Sequence, residues 1–239
     1  MADTALVIMA RYPRAGTTKT RLARAIGDEE AVLLYRAFLT DLAQKFAGQI
    51  ADLYWAYTPA EVNYADFIAR LVPSREQHIR CFPQQGADLG DRLLHAFQWT
   101  YKSGYKRTIV IGSDSPHIRR DIVAAARNAL DKADVVLGPA YDGGYYLIAM
   151  RGPHDVFRGI PMSTSRVAQM TIELARSQGL KVSTLETLFD VDELPDLLRL
   201  HQLLRADSSL APATAAQLTM VDHKGSTGDH KGSPLQEFV

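Results

Sequence analysis

Thr108-Ile-Val-Ile-Gly-Ser-Asp-Ser-Pro-His117 is the stretch that decides the fold. Thr108 to Ile111 is an unbroken β-branched run, the pattern of a strand buried on both faces, as central strands of parallel sheets are. Gly112 ends that strand, and Ser115 with Pro116 predicts the start of a helix. Serine is a favoured N-cap, and proline is tolerated at the first helical position, where its missing N–H costs nothing. Asp114 is then left at the carboxyl end of the strand without a structural task. Ligands of open α/β sheets bind in the crevice outside those strand ends. A carboxylate there suits a divalent cation, which takes hard oxygen ligands and can in turn hold a phosphate. Capping of the helix by Asp114 itself is the competing account.

Working outward, strands and helices alternate. Ala5 to Ala10 is apolar and predicts a first buried strand. The loop after it, Arg11-Tyr-Pro-Arg-Ala-Gly-Thr-Thr-Lys-Thr-Arg-Leu22, combines Gly16, two threonine hydroxyls and four cations (Arg11, Arg14, Lys19, Arg21) beside a helix N-terminus. Unpaired N–H groups and the helix dipole make such a place anion-binding. It is not a Walker A loop, because Gly16 and Lys19 are separated by two threonines, and no G-x-G-x-x-G is present. Helical periodicity covers Asp28 to Phe46, Val62 to Leu71, Leu89 to Tyr101, Ile118 to Leu130 and Val167 to Ser177, and a last helix ends near Arg205. Strands are expected at Asp52 to Tyr57, His78 to Phe82, Asp134 to Leu137 and Val182 to Leu185. This alternation predicts an α/β fold: a doubly wound, mostly parallel mixed sheet with helices on both faces.

Two further loops carry candidate residues. In Pro83-Gln-Gln-Gly-Ala-Asp88, Asp88 is a good N-cap for the helix that follows, while Gln85 and Gly86 allow close approach of a planar base. In Tyr141-Asp-Gly-Gly-Tyr-Tyr146, Asp142-Gly143 is a strong hairpin signal. The second glycine, Gly144, and two tyrosines exceed what a turn needs and fit a closely approaching sugar or base. Turn and site are compatible readings of Asp142.

Lysine plus arginine equals aspartate plus glutamate at 27 each in 239 residues, which gives nucleic acid and anionic membrane surfaces no special claim. The single cysteine, Cys81, excludes an internal disulfide and suits a reducing cytosol. The first apolar run is too short for a membrane span and is preceded by Asp3 where a signal peptide carries positive charge, so a cytoplasmic protein is expected. After Ala206 alanine, serine, threonine, glycine and proline dominate, and His-Lys-Gly-Ser occurs twice, at His223 and His230. This composition predicts one domain over 1–205 and a flexible tail over 206–239.

Taken in order, these motifs resemble bacterial glycosyltransferase-like proteins of the nucleotide-diphospho-sugar transferase (GT-A) fold. That family was once called domain of unknown function 2064, and it includes proteins named arsenosugar-biosynthesis glycosyltransferases. It is distantly similar to molybdopterin and phospholactate nucleotidyltransferases. The matching pieces are Arg11-Tyr-Pro-Arg-Ala-Gly16 with Lys19-Thr-Arg-Leu22, Gln85-Gly-Ala-Asp-Leu-Gly90 with Arg92, Gly112-Ser-Asp-Ser-Pro116, Gly138 to Ile148, and Asp190-Val-Asp192 with Asp196-Leu197. The resemblance implies a phosphate loop at Lys19 and Arg21, with Mg²⁺ or Mn²⁺ held by Asp114. A second ligand position, from an Asp-x-Asp-Thr-Pro-Glu-Asp-Leu stretch of related nucleotidyltransferases, carries onto Asp192. Glu193-Leu194-Pro195 departs from that stretch, and Gly112 leaves the Asp-x-Asp of many glycosyltransferases incomplete. The expected function is a metal-dependent glycosyl transfer from a nucleotide sugar to a small acceptor, with Asp142 activating the acceptor. Nucleotidyl transfer from a nucleoside triphosphate and a non-catalytic nucleotide-sensing module are the rivals.

Overall fold

The computed structural model describes residues 3–48, 50–162 and 164–227. Among them, seven strands form one sheet: β1 (Thr4–Arg11), β2 (Asp52–Thr58), β3 (Cys81–Pro83), β4 (Arg107–Gly112), β5 (Val135–Pro139), β6 (Tyr145–Met150) and β7 (Val182–Thr184). Their order is β3-β2-β1-β4-β6-β5-β7, and β6 alone runs antiparallel to its neighbours. The doubly wound, mostly parallel mixed sheet is thus as expected. Because the chain leaves β1 for β2 on one side and later returns to β4 on the other, the topological switch lies at the carboxyl ends of β1 and β4. The crevice that such a switch opens is the usual ligand position.

The described residues also form eight α-helices: α1 (Thr20–Ile26), α2 (Asp28–Phe46), α3 (Tyr64–Leu71), α4 (Leu89–Lys102), α5 (Arg120–Ala129), α6 (Val167–Ser177), α7 (Leu194–Ala206) and α8 (Pro212–Thr227). Successive side chains of a strand point to opposite faces, and β1 shows it. Leu6 and Ile8 pack with Phe38 and Leu42 of α2, while Ala5 and Val7 pack with Leu93 and Phe97 of α4. The β4 run divides likewise, Ile109 and Ile111 to one layer and Val110 to the other. Burial of both faces is what the β-branched run implied.

Two expectations are corrected. Ser115 and Pro116 do not open a helix. The chain turns once, with Ile118 N–H donating to Ser115 O at 3.1 Å, and α5 begins only at Arg120. The Ser115 hydroxyl is directed instead, as a donor, at Asp190 Oδ1 and the Phe189 carbonyl, and Arg119 stands at the N-cap of α5. Lys45 holds that turn open by donating to Pro116 O and Ile118 O, at 2.7 and 2.9 Å.

The boundary at Ala206 is also displaced. Residues 212–227 are helical, and Ala211 and Leu218 join the core beneath α2. The reason is Asp41, which accepts from Ala213 N and Thr214 N at 2.8 Å each and from Thr214 Oγ1 at 2.6 Å. It caps α8 from another helix, a contact that composition does not reveal. Residues 228–239, with His230, lie outside the described residues. No helix among the described residues is long and apolar enough to cross a membrane.

Candidate functional site

At the switch point lies a cleft of about 510 Å³, lined by the ends of β1 and β4, the basic loop, and the segment leading into α7. Val191 N–H donates to Asp114 O at 2.9 Å, which fixes the Asp190-Val-Asp192 segment beside the carboxyl end of β4. Asp192 does not cap α7. Glu193 is the N-cap, in a reciprocal capping box with Asp196, whose carboxylate accepts from the N–H groups of Asp192 and Glu193 at 3.1 and 2.9 Å. The Asp192 carboxylate is therefore free to face the cleft.

Lys19 joins the two predicted carboxylates. Its Nζ lies 2.5 Å from Asp114 Oδ1, 3.1 Å from Asp192 Oδ1 and 2.6 Å from the Val191 carbonyl. Its side chain is only 6% exposed, so this cation of the expected anion-binding loop forms part of the cleft floor. Burial pulls its ammonium towards neutrality, but Asp114 and Asp192 outweigh this and hold the pKa above the usual lysine value. Burial likewise pushes the Asp192 carboxyl up, and Lys19 and Arg21 reverse that, leaving it below the usual carboxylate range. Arg21 reaches the other Asp192 oxygen at 2.7 Å from the exposed rim.

Asp190, quoted within a motif but assigned no role from sequence, also lines this cleft. Burial raises its carboxyl to about 7, with Asp114 adding to the effect against the opposing Ser115 contact. Tyr35 braces the floor from α2, its hydroxyl lying 2.7 Å from Ser113 Oγ and accepting from Arg11 N at 3.1 Å. Gln84 bridges the ends of β1 and β2, donating to Ala10 O and Ala56 O at 3.2 and 2.8 Å.

The remaining sequence candidates separate. Arg11, Lys19, Arg21, Asp114 and Asp192 line the cleft, joined by Gln84 and Arg92, which lie in quoted motifs but were given no role from sequence. Gln85, Gly86 and Asp88 do not line it. Asp88 caps α4 by accepting from Asp91 N at 2.9 Å. Gly86 is required by packing, since a Cβ there would meet Asp91 at 2.4 Å. Gly16 has φ +75° in the turn before α1 and also stays outside the lining. In the β5–β6 hairpin, Asp142 Oδ1 accepts from Gly144 N at 2.9 Å, so its turn role is real. A side chain at Gly143 would strike Ser165 O at 1.8 Å, which accounts for that glycine by backbone packing. Asp142 lines a smaller hollow of about 270 Å³, which shares Arg21, Asp190 and Asp192 with the main cleft.

Among the described residues no three His, Cys, Asp or Glu side chains converge as a ready metal cage. The donor set still fits a hard cation. Two carboxylate oxygens and one carbonyl oxygen, donors of the kind such a cation takes, surround the Lys19 ammonium. A divalent ion that relies on one or two carboxylates completes its shell with substrate phosphates.

The family profile described as "Uncharacterized protein conserved in bacteria (DUF2064)" matches residues 42–164. A protein of known structure from Desulfovibrio desulfuricans G20 is 36% identical over 93% of this chain and 96% of its own, with a TM-score of 0.85. The chain belongs to this family. The Desulfovibrio protein is provisionally named a nucleotide-diphospho-sugar transferase. A nucleotidyl transferase from Methanothermobacter thermautotroptrophicus superposes with a TM-score of 0.56 at 15% identity, over 85% of this chain and 99% of that one. A cytidylyltransferase from Leptospira borgpetersenii serovar Hardjo-bovis does so with a TM-score of 0.54 at 15% identity, over 95% and 96%. At such identities the likeness is one of fold. No curated protein matches the chain.

Proposed function

We propose that this chain is a metal-dependent transferase that uses a nucleotide-activated donor, a nucleotide sugar, and passes the sugar to a small acceptor. The observation carrying this reading is the meeting of Asp114 and Asp192, distant in sequence, around one buried positive charge at the switch point. The name of the Desulfovibrio relative, similar over nearly the whole chain, supports a nucleotide sugar over other donors.

In this reading the donor diphosphate lies in the main cleft, where Arg11, Arg21 and Arg92 supply positive charge around it. Asp114 and Asp192 would hold Mg²⁺ or Mn²⁺, which neutralises charge developing on the leaving diphosphate. The acceptor lies in the neighbouring hollow, with Asp142 orienting its hydroxyl or taking its proton. Fixed charges already in place need no reorganisation during the reaction, which is how such sites stabilise a leaving group.

A thermal-shift panel of nucleotide-diphosphate sugars and nucleoside triphosphates, with Mn²⁺ or with chelator, tests the assignment. Diphosphate sugars should raise the melting temperature most, and only with metal. Larger shifts from triphosphates move the assignment to nucleotidyl transfer, and no metal-linked shift from any nucleotide overturns both. Asp114→Asn keeps shape and hydrogen bonding but removes charge, so calorimetric titration should show nucleotide binding that no longer responds to Mn²⁺. Asp192→Asn should do the same more mildly, because its amide oxygen can still face a cation.

A further inference from the structure

Lys19 is saturated where it lies: its three protons are matched by the oxygens of Asp114, Asp192 and Val191, at 2.5, 3.1 and 2.6 Å. Among the described residues it is also the one non-glycine residue with positive φ, at φ 49° and ψ 44°. Left-handed backbone disfavours side-chain-bearing residues, and it persists only where the surroundings over-determine it, most often at functional sites. The same geometry creates a conflict. These oxygens are the ones a divalent cation would take, and two cations cannot share them at such separations without strong repulsion.

We propose that Lys19 plugs the metal position: with no diphosphate bound its ammonium replaces the divalent cation, and the metal enters only together with a nucleotide. The inference rests on the metal reading of Asp114 and Asp192 given above. Withdrawing the ammonium alone would leave two carboxylates facing each other uncompensated, and adding metal alone would oppose the ammonium. Phosphate oxygens resolve both at once, because they offer Lys19 a new anionic partner in the same cleft and complete the coordination of the incoming cation. Arg21, on the outer oxygen of Asp192 at 2.7 Å, keeps that carboxylate in position during the exchange. Lys19 thereby keeps the phosphate-binding role expected of it, but only in the loaded state.

Water-proton relaxation, which distinguishes protein-bound Mn²⁺ from Mn²⁺ held by a small anion, tests this on the full chain. Mn²⁺ is titrated alone and with inorganic pyrophosphate into the parent, Lys19→Met and Lys19→Gln, the glutamine retaining hydrogen-bond donors should the methionine misfold. Both variants should bind Mn²⁺ alone at least tenfold more tightly than the parent, and the parent should gain that affinity when pyrophosphate is added. Adding Asp114→Asn to either variant should remove it. Equal affinity of parent and variants for Mn²⁺ alone, with pyrophosphate making no difference, overturns the plug and leaves the metal site standing. Pyrophosphate-dependent Mn²⁺ binding by the parent, with no gain in the variants, overturns it too. Failure of every protein to bind Mn²⁺ in either condition removes the metal reading itself.

Discussion

Lys45 and Lys19 are both withdrawn from water, yet one is surrounded by carbonyls and the other by carboxylates. Lys45 donates to Pro116 O, Ile118 O and Leu210 O at 2.7, 2.9 and 2.7 Å, joining α2 to the turn after β4 and to the start of α8. Burial draws its ammonium down to about 8, with Asp41 opposing that fall. Lys19 is held above the usual lysine value by two charged partners. Dipoles without net charge make Lys45 a fastening between elements. Full charges make Lys19 part of a set that another ion can enter. Buried lysine is therefore not one signal but two, told apart by the partner.

If that contrast holds, disturbing the Lys45 region should cost stability and leave the cleft's ligands alone. Asp41→Ala strips the cap from α8 and leaves the Ala213 and Thr214 N–H groups and the Thr214 hydroxyl without their acceptor. At roughly 1–3 kcal/mol for each buried group left unpaired, a loss of about 3–5 kcal/mol in urea unfolding is expected. Mn²⁺-linked nucleotide binding should survive. Truncation after Arg205 should also destabilise, because it uncovers the core face that Ala211 and Leu218 fill. A parent-like melting temperature in either case would show that the region fastens nothing.

His117 sits between the two regions and sharpens the comparison through pH. It is 5% exposed, stacks on Phe189 at 4.2 Å, and finds no partner for either ring nitrogen. Burial, then the charges of Lys45 and Arg199, lowers it from an ordinary 6.5 to about 4. The unfolded chain thus takes up a proton near pH 6.5 that the folded chain refuses until about pH 4. Its contribution is complete above pH 6.5 and falls away as pH drops through that window. The loss amounts to about 3 kcal/mol, at about 1.36 kcal/mol per unit. His117→Phe keeps the stacking and should flatten stability over this range. A variant whose acid sensitivity matches the parent's would place the acid-sensitive group elsewhere.

The fold was legible because its signals are local. β-branched runs, helical periodicity and the Asp142-Gly143 turn need only neighbours in sequence, and β4, α2, α6 and the hairpin follow them. Of the residues singled out by type, Lys19, Arg21, Asp114 and Asp192 line one cleft. What sequence hid is who partners whom across long separations. Ser115 has the chemistry of a cap, yet its hydroxyl donates across to Asp190 and the helix begins only at Arg120. Asp192 pairs with Lys19 and Arg21 from far along the chain, while Glu193 and Asp196 cap α7. The stretch after Ala206 carries a composition associated with tails, yet residues 212–227 form a helix that one aspartate on α2 caps.

Within the cleft, Lys19→Ala should weaken binding of a diphosphate nucleotide at saturating Mn²⁺ by about 1–3 kcal/mol, the scale of a charge-assisted hydrogen bond. It should also lower unliganded stability, because Asp114 and Asp192 lose the charge between them, and Mn²⁺ should restore that stability. A phosphate role confined to an exposed loop would leave unliganded melting untouched.

The smallest effect is expected of Arg21, and it decides where the phosphate rests. The Arg21 side chain is 57% exposed, and its partners Asp192 and Glu193 are 31% and 57% exposed. Pairs so open to water contribute about 0–1 kcal/mol, because solvent and salt screen them. Arg21→Ala should leave melting within about 0.5 kcal/mol of the parent. Nucleotide affinity should fall by less than about 1 kcal/mol, with the difference vanishing as salt is raised. Lys19→Ala should keep most of its deficit in salt, since the floor of the cleft is shielded from water. Calorimetric titrations of both variants at low and high salt make the comparison. Arg21→Ala matching Lys19→Ala in size and salt response would put the diphosphate on the rim, and Lys19 would then be a fixed structural ion pair rather than a partner of the nucleotide.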